Sequence, residues 1–255
     1  MSFPETVVLN YGETKAETTD QRAPLGTRGV LPDGRVFRYA KAGGAITVGA
    51  LVTGAAPAGN YIATSGGVTP AATTFTSTWK YITIVTSHQS DSTAETANTY
   101  AEGYMVDPKN GQVVRIATHD GHTASSTEQS NFYFEEGDRL SISITGTDQA
   151  MMVMKNPYDD CIIAPAAGGA GAIALGYSTH NVDSGSYFWL QTWGPVGAVA
   201  YGTWVAGNPG VHSTETATAI GPITTTDQRL SARVGQLNLV AAAAKFGMIN
   251  VQLSP

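Results

Sequence analysis

The amino-acid sequence predicts an all-β protein, many short antiparallel strands forming sandwich- or barrel-like modules with long polar loops, and three observations carry that prediction. Arg139-Leu140-Ser141-Ile142-Ser143-Ile144-Thr145 alternates apolar and hydroxyl side chains without a break, the period of a strand with one buried and one wet face. Short β-branched and aromatic runs are punctuated throughout by glycine, proline and asparagine turns. No long stretch holds a helical apolar period. The run Ala241-Ala242-Ala243-Ala244 has helical propensity, but Gly235 and Gly247 bound it closely, so two strands with a tight or bulged connection are expected there. About ten to fourteen strands are expected in all.

Taken in order, residues 1–24 scatter Glu5, Glu13, Lys15, Glu17, Asp20 and Arg22 among threonines, with little apolar period beyond Thr6-Val7-Val8-Leu9. They read as an extended N-terminal arm that orders against a neighbour. Its apolar residues Phe3, Val7, Leu9 and Tyr11 are the candidate contacts.

Residues 25–52 form the unit around which the chain is organised. Pro32-Asp33-Gly34 is a turn: proline presets φ and glycine accepts a positive one. Residues 35–40 then alternate as a strand, Gly43-Gly44 breaks it, and Ile46-Thr47-Val48 with Leu51-Val52 starts again. A shift of about 151 positions aligns Gly34 with Gly185, Phe37 with Phe188, Gly43 with Gly194 and Val48 with Val199, so the strand–glycine corner–strand unit is expected to return once.

Residues 54–78 are loop-rich, and Trp79-Lys80-Tyr81-Ile82-Thr83-Ile84-Val85-Thr86 is a strand by composition. Residues 104–116 read as a hairpin turning at Asn110-Gly111. Polar excursions precede and follow it, at 87–99 and 119–129. Residues 165–171, rich in Ala and Gly, look like a seam. The expected organisation is therefore an arm over 1–24, a first β-rich region over 25–164 and a second over 165–255, the two separate or packed as a single domain.

Composition narrows the function. Charged residues make up 13% of the 255 residues, well below the usual quarter, and the net charge is −6. No basic patch is present to release counterions from phosphate, which argues against a nucleic-acid partner. No apolar run approaches the roughly 18 residues of a membrane span, and the first residues lack the basic start and apolar core of a signal peptide. A soluble product made in a cytoplasm is expected. The single cysteine, Cys161, precludes an internal disulfide and sits in an apolar run, so it reads as a small buried hydrophobe.

Catalytic and ligand-binding patterns are thin. His119-Asp120-Gly121-His122 is the most site-like cluster, but its spacing is not that of one helix face, and a solvated loop is the simpler expectation. His88, His180 and His212 are expected to be exposed. Asp159-Asp160 and Glu135-Glu136 would point to opposite faces of a strand, and Glu135-Glu136-Gly137-Asp138 reads as a turn. Nucleophile elbow, phosphate loop and dinucleotide fingerprint are all missing. The expectation is a protein that is not an enzyme and carries no cofactor or metal. Tyr187, Trp189 and Trp193 fall at strand period on one face, a stripe suited to a subunit interface or, alternatively, to a sugar-stacking platform on a virion or tail-associated module.

Several stretches together resemble the head decoration, or capsid cement, proteins of tailed bacteriophages. They are residues 32–40 leading into Gly49-Ala50-Leu51-Val52; Ala97-Asn98-Thr99-Tyr100-Ala101-Glu102-Gly103-Tyr104-Met105; residues 187–194 followed by Val205-Ala206-Gly207; and the closing strands over 234–253. They occur in a matching order over most of the chain. The resemblance implies a β-rich, β-tulip-like protein made in the host bacterial cytoplasm. It would dock on the capsid exterior against the major capsid protein, often as a homotrimer, with no catalytic residue to carry over.

Overall fold

The computed structural model describes residues 6–54, 74–75, 80–85, 94, 96–107, 110–121, 129–142, 144–145, 151–165, 173–213, 217, 219–223, 233–239 and 241–254. The fold is all-β, with no closed barrel and, among the described residues, no α-helix. It divides into two compact units: Met1–Ala56 together with Pro157–Pro255, and Pro57–Asn156 between them.

The first unit, the frame, begins with strands β1 (Thr6–Val8), β2 (Arg28–Val30), β3 (Val36–Lys41) and β4 (Leu51–Thr53). The second unit, the insert, carries β5 (Thr74–Phe75), β6 (Tyr81–Val85), β7 (Tyr104–Asp107), β8 (Gln112–His119), β9 (Gln129–Phe134), β10 (Ile144–Thr145) and β11 (Met152–Met154). The frame resumes with β12 (Ile162–Ile163), β13 (Ala174–Tyr177), β14 (Tyr187–Val199), β15 (Pro209–His212), β16 (Ile220–Pro222), β17 (Arg233–Leu237) and β18 (Phe246–Gln252).

The frame is one eleven-stranded sheet whose main path runs β1-β2-β3-β14-β18-β17-β15-β16, with β4, β12 and β13 branching from β14. Among its described strands only β1 and β2 pair in parallel. The chain leaves β4 for the insert and, on returning, pairs β12 straight back onto β4, Ile162 opposite Thr53 and Ile163 opposite Val52. That return explains why the frame includes residues 157–164, which the sequence-based division placed with the region before the seam. An insertion whose two ends meet is tolerated because it leaves the host sheet's pairing intact.

The two copies of the organising unit prove to be neighbours. β3 and β14 pair antiparallel, with Lys41 opposite Tyr187, Ala40 opposite Phe188 and Tyr39 opposite Trp189. Each is entered through a turn with its glycine at positive φ, Gly34 at 87° and Gly185 at 83°. The likeness stops at the second glycine. Gly43 follows the end of β3, whereas β14 runs through Gly194 for thirteen residues, so the expected second corner is absent. Gly194 instead takes φ 91° beside a bulge between Gln191 and Trp193.

The arm is extended, as expected, but its described part finds its partner in the same chain. β1 pairs with β2, and the Leu9 N–H donates to the Val30 carbonyl at 2.9 Å. A single 3-10 turn, Glu13–Lys15, follows. Thr18 and Tyr187 then exchange backbone hydrogen bonds at 3.0 and 2.8 Å. Leu9 is buried with Leu31 and Phe37, and Val7 and Trp189 pack against them. Gly29 permits this closeness, since a Cβ there would collide with the Leu9 side chain and the Trp189 ring. One short apolar run thus suffices to seat the arm, and the expectation that it orders against a neighbour is corrected for residues 6–24.

Two further clusters fill the frame. One surrounds Trp204, which is fully buried and donates its indole N–H to the Ile220 carbonyl at 2.8 Å. The other gathers Ala40, Ile46, Val52, Cys161, Phe188 and Leu190. The closing strands β17 and β18 pair as expected, and the alanine run between them ends in a turn, with Ala244 at φ 61°.

The insert has a five-stranded antiparallel sheet in the order β11-β7-β8-β9-β6 and a two-stranded one of β10 with β5. Its core contains Ile82, Met105, Val114, Ile116, Phe132 and Val153. The predicted hairpin is β7–β8, and the Asp107 carboxylate accepts from the Asn110 N–H at 3.3 Å and the Asn110 side-chain amide at 2.8 Å. The turn over Glu135-Glu136-Gly137-Asp138 is also present, closed by the Asp138 N–H on the Glu135 carbonyl at 3.0 Å. The unbroken alternation over 139–145 gives a strand only at its end. Leu140 is buried as expected, but Ile142 is exposed. The Gln112 side chain takes the Ile142 backbone, accepting from its N–H at 2.8 Å and donating to its carbonyl at 3.0 Å, bonds a neighbouring strand would otherwise make. Trp79, His88, His122, the glycine-rich 166–171 and most of 54–78 lie outside the described residues.

Candidate functional site

Two surfaces merit attention, one in each unit. In the frame, the arm crosses the sheet above β3 and β14 and leaves a cleft of about 270 Å³ between them. Its floor is aromatic. Tyr39 lies 5.9 Å from Tyr187 with the rings nearly parallel, and 5.0 Å from Trp189, tilted. Val7 and Leu9 of the arm close one side, and Glu13, Thr18, Arg22 and Thr27 supply the polar groups. The Glu13 carboxylate accepts from the Asn10 N–H at 2.6 Å, and the Arg22 N–H donates to the Tyr39 hydroxyl at 3.0 Å.

Of the residues expected to make partner contacts, Val7, Leu9, Tyr187 and Trp189 therefore meet at one place. Phe3 lies outside the described residues. Tyr11 is exposed beneath the Arg35 guanidinium, 5.8 Å from its ring centre. Trp193 separates from the stripe. The bulge adds one residue after Gln191, so Trp193 stands opposite Val36 while Trp189 stands opposite Tyr39. Strand period on one face fails here because a bulge resets it.

The histidines also depart from expectation. His119 ends β8 inside the insert's core, stacked on Phe132 at 4.9 Å, where its Nε2 accepts from the Tyr100 N–H at 3.0 Å and its Nδ1–H faces the Asp120 carbonyl at 2.8 Å. Both ring nitrogens are thereby used within the core. His180 and His212 are half-buried rather than exposed, and burial lowers both below their ordinary value; at His180, Glu17 works weakly the other way. Cys161 is fully buried, and burial pushes its thiol far up, with Asp159 and Asp160 adding to the effect. Among the described residues no group of three or more His, Cys, Asp or Glu could hold a metal ion, and no helix is long and apolar enough to cross a membrane.

The second surface was not visible in the sequence. On the insert's five-stranded sheet, Met152 stands opposite Val106, which stands opposite Val113; Met154, Tyr104 and Arg115 form the next row. Past a bulge, Thr118, Tyr133 and Tyr81 continue across the same face, the two tyrosine rings 5.6 Å apart. Met105, Val114, Phe132 and Val153, each adjacent in sequence to one of these, turn inward, so the opposite face is the core. On the open face Val113 is 55% exposed and Met154 47%, and Tyr81, Tyr133 and Met152 are exposed beside them. Apolar residues follow one another at Val113-Val114 and along β11, so no period-2 contrast marks which face is wet.

Charge distinguishes the units as well. Residues 57–156 hold five Lys and Arg against ten Asp and Glu, whereas the rest of the chain holds nine against ten. Nearly all of the net negative charge is on the insert. No family model, no curated protein and no solved structure matches this chain.

Proposed function

We propose that this chain is a structural virion protein of a tailed bacteriophage, which binds the exterior of the capsid and stabilises the mature head by bridging major capsid protein subunits. The observation that supports it best is the open apolar face of the insert's sheet. Exposed Val113, Met152 and Met154 toward one end of this face and Tyr81 and Tyr133 toward the other, with Arg115 between them, support a protein-docking surface, because leaving such side chains in water forgoes their burial. The acidic balance of the insert as a whole, ten Asp and Glu against five Lys and Arg, favours a protein partner of opposite net charge over nucleic acid.

The sequence resemblance is consistent with that role. Three of its four stretches fall in β3, β14, β17 and β18, adjacent strands of the frame's sheet. The described arm is committed to its own sheet, so the capsid contact is assigned to the insert and not to the arm. The frame is nearly neutral and exposes Val48, Phe246 and Met248, which suits contact between copies in the homotrimer that the resemblance implies. Stabilisation works by mass action: a protein that binds the mature lattice and not its precursor lowers the free energy of the mature state alone.

Quantitative mass spectrometry of purified virions tests the reading. Copy numbers on the scale of the major capsid protein are expected. A small fraction of that number would reject a lattice-wide role and move the protein to a tail or vertex.

A further inference from the structure

We infer that the cleft beneath the arm is a binding site for an acidic monosaccharide unit, its ring lying on Trp189 and Tyr187 and its carboxylate taken by Arg22. The inference does not rest on capsid binding, and each can fail without the other.

Three features of the cleft select that ligand. At about 270 Å³ it falls at the low end of ligand pockets, with room for a single six-membered ring rather than an extended molecule. The floor offers half-buried aromatic surface, which favours the C–H face of a pyranose over a charged or fully hydrated group. The polar rim is richer in acceptors than donors. Thr18 and Thr27 already donate their hydroxyl protons to the carbonyls of Asp20 and Pro24, at 2.8 and 2.6 Å, so each presents lone pairs. Glu13 adds a carboxylate, one oxygen of which already accepts from the Asn10 N–H at 2.6 Å, so the ligand's own carboxylate must lie on the Arg22 side. A ligand rich in O–H donors satisfies these groups, and a plain aromatic or aliphatic one does not.

Lys41, whose Nζ stands 5.8 Å from the Tyr187 ring centre, is already shared with Asp159 at 3.9 Å, and the cation lining the cleft is Arg22. Its backbone N–H is held by the Tyr39 hydroxyl, which places the residue at the mouth, and its guanidinium forms no ion pair within the described structure. A carboxylate on the sugar would give it a charge-assisted, two-point partner. Together, the aromatic floor, the acceptors and the unpaired guanidinium describe a uronic or nonulosonic acid.

The test is a tryptophan-fluorescence titration of the full chain, cross-checked by saturation-transfer NMR. The probes are the methyl glycosides of glucuronate, galacturonate and N-acetylneuraminate, with methyl glucoside and benzoate as controls. At least one acidic glycoside is expected to bind saturably at about 1 mM, tenfold or more tighter than methyl glucoside. Arg22→Gln, an exposed substitution that leaves the floor intact, should erase that preference, and Trp189→Ala should abolish binding in a protein of unchanged strand content. The inference is overturned if none of the three binds saturably, if benzoate binds as well as they do, or if Arg22→Gln keeps the tenfold preference.

Discussion

The frame and the insert differ in what covers their candidate surfaces: the chain's own arm in the frame, and nothing from the described residues on the outer face of the insert's five-stranded sheet. In the frame the arm folds back over β3 and β14, the longest strand is shared among three neighbours and Trp204 sits sealed in the core, while Val48, Phe246 and Met248 stay exposed elsewhere on the sheet. The insert covers one face of its five-stranded sheet and leaves the other apolar and open. The frame is nearly neutral and the insert strongly acidic. Under the proposed function this is a division of labour, with the frame as platform and the insert as docking surface.

The sharpest way to break that division is to damage one core and watch the other. Trp204→Ala removes the largest fully buried side chain among the described residues together with its hydrogen bond to the Ile220 carbonyl, and should cost the frame about 3–5 kcal/mol. Hydrogen exchange read by mass spectrometry should then show faster exchange across β14, β17 and β18 while β7–β9 keep their protection. Equal loss in both units would mean that they fold as one, and the comparison would fall.

A smaller effect is expected at the arm. Gly29→Ala drives a methyl group into the Leu9 side chain and the Trp189 ring, an overpacking cost of about 1–3 kcal/mol. Limited proteolysis should detect it as faster cleavage within residues 6–24, before any change in the insert.

Acidity gives a graded test of the frame. Burial lowers His180 and His212 below their ordinary 6.5, so the unfolded chain binds more protons than the folded one in the window just below that value. Their contribution is complete above pH 6.5 and is lost as the pH falls through their folded values. Urea melts should therefore show a less stable frame at about pH 5 than at about pH 7, and replacing both residues, His180→Gln with His212→Gln, should flatten that slope.

Much of this architecture could be read from residues in a row. The Asn110-Gly111 hairpin, the turn at Gly137, the burial of Cys161 and the pairing of the last two strands all follow from local turn chemistry and composition. What escapes such a reading is set by register and by distant pairing. A single extra residue after Gln191 moves Trp193 off the stripe. The arm's partner at Tyr187 lies far downstream of Thr18, where no local pattern announces it. His119 has polar neighbours in sequence, yet the strand carries it into the core. The candidate cleft is half legible: Val7, Leu9, Tyr187 and Trp189 stand out as apolar or aromatic at strand period, whereas Tyr39 and Arg22 join them only through the fold.

The smallest expected change in stability accompanies the most direct test of the account. Val113→Glu places a charge on the insert's open face, in the row of Met152, Val106 and Val113 beside the β7–β8 turn, where the side chain is already exposed, and should alter stability by no more than about 0.5 kcal/mol. Co-sedimentation with expanded empty shells of the same phage's major capsid protein should nonetheless weaken at least tenfold, about 1.4 kcal/mol, against the unaltered chain. Undiminished binding of the Val113→Glu protein would contradict the claim that this face is what holds the protein to the capsid.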